Sequence, residues 1–178
     1  SLATIAIENA RLTQARNRET PIAATQSRIL ELAVAQTALS DTLDGIVREV
    51  DALSVSGFLG GILLLSEGGE HLEHCAGPGL PRAYKEAASG IAIAPSAVTA
   101  AAEIGSDPGW AALRELAAGH GLHLCCSIPI RSAQAALLGA FVFYHPERRE
   151  PLPEDVEIID FVVHTVGLLV HRTRADSA

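Results

Sequence analysis

Methionine is absent from all 178 residues, the first position included, and the chain is accordingly expected to be an excerpt of something longer. Aromatic residues are scarce, with one tryptophan, two tyrosines and four phenylalanines, so the core must be aliphatic. An odd set of three cysteines cannot all pair within the chain, and a reducing, cytoplasmic compartment is the simpler setting. No apolar run approaches the roughly 20 residues of a membrane span. Nor does a basic start followed by an apolar segment mark a secretory signal. Positive charge is short as well. Lys and Arg number 13 against 21 Asp and Glu, a net charge of −8, and no basic stripe offers phosphate neutralisation to a nucleic acid. What is present is a 48% hydrophobic fraction, enough for a sizeable core, in a length that suits one domain.

Helical patterns open the chain. Leu2, Ile5, Asn9 and Leu12 follow the spacing of a coiled-coil seam, and one Asn in such a seam fixes register and a dimeric state. Arg16 then falls on the seam and the pattern fades before two heptads are complete, so an amphipathic helix lying on its own domain is the plainer alternative. Thr20-Pro21 is expected to end this helix and cap a second one running to about Ala38. A third starts at Ser40-Asp41, with Leu43, Ile46, Val47, Val50 and Leu53 on one stripe.

The period then changes. Residues 59–65 and 71–76 read as a hairpin around the turn at Ser66–Glu70, and residues 123–130 and 136–145 as two further strands. Short helices are expected at 82–89 and 109–118, the latter capped by Ser106-Asp107-Pro108 and ended by Gly119 and Gly121. A long closing helix is expected from Pro153 to Arg174, acidic at its start and basic at its end as the helix dipole prefers. It carries two apolar stripes. Val156, Ile159, Val163, Val166 and Val170 form one, and Ile158, Phe161, Val162, Leu168 and Leu169 the other. A helix covering one sheet face needs a single stripe. The second therefore predicts a partner helix from another copy, unless both stripes pack within one chain.

This order of elements resembles the GAF domain, a relative of PAS, over about residues 25–173. The resemblance rests on Gly61-Ile62-Leu63-Leu64-Leu65 before a Gly-rich turn, and on His74-Cys75-Ala76-Gly77-Pro78-Gly79-Leu80-Pro81 with Tyr84. It continues with Ser106-Asp107-Pro108-Gly109-Trp110, with His120-Gly121-Leu122 leading to Ser127-Ile128-Pro129-Ile130, and with Leu138-Gly139-Ala140-Phe141 and Tyr144. The Pro-Glu opening of the closing helix completes the set. It implies an α+β fold: an antiparallel sheet with flanking helices, its long terminal helices packed together. Residues 1–20 would then be a linker helix ending a preceding module, 21–174 the GAF domain and 175–178 a tail. Between about Ala94 and Glu103 the sequence departs from the family, because Ser96–Ala102 suits a short helix but no strand-like run follows. That segment is either a shortened pocket wall or an incomplete one.

The resemblance implies a sensor module of the kind found in bacterial multidomain signalling proteins. Such a module binds an unknown small molecule, forms a homodimer through its terminal helices, and controls a neighbouring output domain such as a histidine kinase or cyclic-dinucleotide enzyme. The segment itself is not expected to be an enzyme, and no cofactor is assigned. Tyr84, Trp110, His123 and Cys126 are the ligand-binding candidates, each in or beside an element that borders the family's pocket. The alternative is a redox- or metal-responsive GAF domain, or a small enzyme, using Cys75, Cys125 and Cys126. His71, His74, His120 and His123 lie near those cysteines, and mixed Cys/His sets can hold zinc. Strand periodicity weighs against it, since positions 71 and 74, and 125 and 126, should point to opposite faces. Packed or surface histidines are the plainer reading, a haem ligand the rarer one. The bilin-attachment, methionine-sulfoxide-reducing and cyclic-nucleotide signatures of other family members are absent, as are a Ser/His/Asp set and a phosphate-cradling glycine motif.

Overall fold

Two strands of this chain are apolar along nearly their whole length and two are mixed, and that contrast orders the sheet. In the computed structural model β1 (Leu59–Leu65), β2 (Leu72–Ala76), β3 (His123–Arg131) and β4 (Leu137–His145) form one antiparallel sheet in the order β2-β1-β4-β3. The structure describes residues 2–35, 37–93, 98 and 108–176, the side chains of residues 11–21, 74 and 75 excepted. The continuous apolar strands β1 and β4 occupy the centre, where both faces are covered. The outer edge of β2 is closed by residues 90–93, through bonds such as Leu72 N–H to Ile91 O at 2.8 Å. β3 is the other edge, and it carries Pro129, a residue that edge strands tolerate.

The pleat divides the core in two. Ile62, Leu64, Phe141, Phe143 and Ile130 face α1 (Leu2–Val34), α2 (Leu39–Leu53) and the closing helices α5 (Pro153–Val156) and α6 (Ile159–Asp176). Leu63, Leu65, Ala140, Val142 and Tyr144 face the other way, toward α3 (Arg82–Ala88), the 3₁₀ turn Pro108–Trp110 and α4 (Ala111–Ala118). α2 buries the expected stripe of Leu43, Ile46, Val47 and Val50 against the first face. No described helix is long and apolar enough to cross a membrane.

Three expectations about helices need correction. α1 runs unbroken through Pro21, because the ring-fixed φ is already helical and the cost is limited to one backbone bond and local crowding. The closing helix is interrupted at Glu157–Ile158, which lets the neighbours Ile158 and Ile159 both enter the core; its second part runs on to Asp176, past the expected tail boundary at 175. Both apolar stripes are satisfied within one chain. Ile158, Ile159, Val162, Val166, Leu169 and Val170 are all buried beside Ile29 and Ala33 of α1, and Leu168 is the exposed exception. The surplus apolar face that predicted a partner for the closing helix is therefore absent. The expected helix at Ser96–Ala102 lies outside the described residues, apart from the buried Val98.

The terminal helices do pack together. Arg172 Nη2 donates to Ala33 O of α1 at 3.2 Å. Arg174 Nη2 donates to Leu65 O at the end of β1 and pairs with Glu73 of β2 at 3.3 Å. The last turn of α6 is thus tied both to α1 and to the sheet.

α2 is anchored by its own acids. Asp44 Oδ1 accepts Gly77 N–H at 3.0 Å, and Asp51 Oδ1 accepts Gly60 N–H at 2.7 Å. Burial pushes the Asp51 carboxyl up to about 6, against the pull of the Gly60 N–H. From about pH 4, the ordinary carboxylate range, to about 6 the folded chain holds a proton here that the unfolded chain has released. Stability at this site therefore falls as pH rises through that window. Asp51→Asn keeps an acceptor for Gly60 without the charge. It should melt above the parent chain at pH 7.5, with the difference vanishing by pH 4 in calorimetric scans of both proteins.

Candidate functional site

The face covered by α3 and α4 holds all three of the chain's aromatic side chains other than the phenylalanines. Tyr84 on α3 and Tyr144 on β4 are fully buried, their hydroxyls 2.7 Å apart and their rings edge to face at 5.5 Å. Trp110, in the bridge region of the backbone at the start of α4, is buried in the same cluster. His120 stands edge-on to Tyr84 at 6.1 Å from the exposed side. Leu63, Leu65, Leu72, Ile93, Val98, Gly139 and Ala140 close around Trp110, leaving no room for a water molecule among the described residues.

His123 sits at the rim rather than in this interior. It lines an open groove of about 350 Å³ with Arg114 and Glu115 of α4 and Arg148. Cys126 leaves the group altogether. Strand β3 pairs Leu124 with Tyr144 and Cys126 with Phe143, so Cys125 is the extra residue of a β-bulge. The bulge reverses the faces of everything after it. Cys126 and Ile128 pack against the α2/α6 core, and Ser127 comes opposite Val142 on the α3/α4 face. Of the four candidates, the structure brings Tyr84 and Trp110 together, places His123 at the border, and puts Cys126 across the sheet.

The bulge also adds a residue that strand periodicity hides. Ser127 is fully buried and its hydroxyl finds no hydrogen-bond partner among the described residues. A native structure seldom leaves such a group unpaired without a use for it, since the unmade bond costs about 1–3 kcal/mol. The Tyr84–Tyr144 pair was missed for a different reason. Only proximity across 60 residues of chain reveals it.

Among the described residues no three His, Cys, Asp or Glu side chains gather into a metal set. The side chains of His74 and Cys75 lie outside the described residues. Cys125 and Cys126 are free thiols, and burial pushes both above the usual thiol range, against the nearby Arg148 charge at Cys125 and reinforced by Cys125 and Glu150 at Cys126.

Comparison with known proteins gives the same fold. A family model described as GAF domain matches residues 35–170. A methyl sulfide methyltransferase-associated sensor from Methanosarcina acetivorans is 29% identical over 164 residues, covering 86% of this chain. The chain spans 16% of that sensor's length. Among solved structures, a domain of a putative two-component sensor histidine kinase protein from Sinorhizobium meliloti superposes with a TM-score of 0.59 at 18% identity, covering 80% of this chain and 97% of that one. The phycoerythrobilin-bound GAF domain of a cyanobacterial phytochrome follows at 0.54 and 14%, covering 90% and 97%.

Proposed function

The chain belongs to the GAF domain family, and from that premise we propose that it is a regulatory sensor module acting on a neighbouring output domain. The observation that carries this reading is the fastening of α6. Arg172 and Arg174 join its last turn to α1 and to the ends of β1 and β2, so a shift of the sheet must move the helix that leads out of the domain. The α3/α4 face is the receiving side, with Tyr84, Trp110 and the unpaired Ser127 hydroxyl inside and His123 at its border. A small molecule that reaches Trp110 must displace side chains or α4, because the space around Trp110 among the described residues does not admit a water molecule. That displacement is the signal.

Assembly belongs to α1. Its first turns carry Leu2 and Ile5 at 87% and 55% exposure, on the seam that Asn9 interrupts. A second copy laid along this seam would cover both, giving a homodimer that joins the module to a preceding one through residues 1–20, within the reducing cytoplasm that free thiols suit. Light scattering of the chain tests the assembly at a concentration on the order of tens of micromolar, where mass action favours a dimer. The parent chain should have twice the monomer mass, and Ile5→Glu should be a folded monomer. A monomeric parent chain contradicts the reading. Glu at Ile159 or Val166 would test folding instead, since both are core residues.

A further inference from the structure

The two adjacent cysteines of β3 lie outside the receiving face and take no part in the sensing proposal above. Regular strand geometry would place them on opposite faces. The bulge prevents this, and Cys125 and Cys126 pack against the same α2/α6 cluster, each half-buried and therefore reachable from solvent. The two residues are neighbours in the chain, with Cα atoms about 3.8 Å apart, and both side chains rest on that one cluster. Cys125 S–H donates to His123 O at 3.5 Å and to Glu147 O at 3.9 Å, which sets it beneath the 146–152 loop that leads into α5.

We infer that Cys125 and Cys126 form a dithiol binding site for a trivalent arsenical, a thiophilic centre that takes two sulfurs from one side. The geometry selects against the other dithiol chemistries. A structural zinc ion needs four tetrahedral ligands, and no third His, Cys, Asp or Glu joins the pair among the described residues. A linear two-coordinate cation needs its sulfurs on opposite sides, whereas the bulge places them on one. Adjacent Cα atoms lie about 3.8 Å apart across a trans peptide, short of the ~4.4 Å at which ordinary disulfides begin. A pyramidal arsenic centre meets none of these obstacles. Two S–H groups and one R–As(OH)₂ give R–As(S)₂ and two molecules of water: two As–S bonds replace two As–O bonds, the thiol protons leave in the water, and no electrons change hands.

Phenylarsine oxide is the probe, and native mass spectrometry of the chain is the readout. One arsenical should bind per chain, and an excess of ethanedithiol should remove it. Cys125→Ala and Cys126→Ala should each weaken binding at least a hundredfold, and both should fold, because alanine suits the apolar cluster. Cys75→Ala should bind as the parent chain does. The inference is overturned if the parent chain forms no adduct, if either β3 variant retains parental affinity, or if Cys75→Ala loses the adduct.

Discussion

Replacing Trp110 with alanine is expected to remove about 3–5 kcal/mol of folding stability, the range for deleting a large buried aromatic side chain. The side chain is 1% exposed, and its cluster draws on β1, β2, β4, α3 and α4, so no single element can collapse into the space it leaves. Against a total of roughly 5–15 kcal/mol for a domain, such a loss brings the variant near its unfolding threshold. Urea titration followed by far-ultraviolet circular dichroism is the measurement, because the variant has no other tryptophan to report by fluorescence. The midpoint should fall with the slope unchanged. A midpoint within experimental error of the parent would mean that Trp110 is not packed as described.

Gly167→Ala is the second large effect, and its sign is opposite to helix propensity. Alanine in a helix interior is worth about 1 kcal/mol over glycine. In α6, however, a Cβ at position 167 would collide with the Arg131 carbonyl oxygen of β3. A backbone atom cannot rotate away as a side chain can, so the helix must lift off the strand, at the upper end of the ~1–3 kcal/mol that overpacking costs. The expected result is a net loss of about 2 kcal/mol by the same titration. A gain in stability would place α6 farther from the sheet than the structure does.

Most of the fold was legible because its signals are local. The strands begin and end within one residue of where apolar runs and turn residues placed them, and α2 follows its apolar stripe. The antiparallel sheet with packed terminal helices was implied by the family resemblance that the order of those elements carries. What escaped the sequence needed tertiary information. Pro21 punctuates most helices, but a helix tolerates one missing N–H where nothing else demands a stop. The closing helix was read as having a spare stripe because its sequence does not show that α1, α2 and the sheet all press on it. The site was legible in part. Tyr84 and Trp110 share one buried cluster, but one bulge residue, Cys125, exchanged the faces of Cys126 and Ser127. A bulge of this kind leaves no glycine or proline in the strand at its own position. Period-two counting passes over it.

If the last turn of α6, α1 and the β1–β2 end of the sheet move as one piece, Arg174→Ala loosens both ends of its contacts at once, and hydrogen exchange reads this out. Arg174 reaches the Leu65 carbonyl and Glu73 from 109 and 101 residues away in sequence, with its side chain mostly shielded from solvent. A hydrogen bond to a charged group contributes about 1.5–3 kcal/mol, equivalent to roughly tenfold or more in local opening. Amides of residues 171–176 and of the 65–72 hairpin end should lose protection together, by about that factor, while α3 and α4 are unchanged. Faster exchange confined to the end of α6, with the hairpin as slow as in the parent chain, would contradict it.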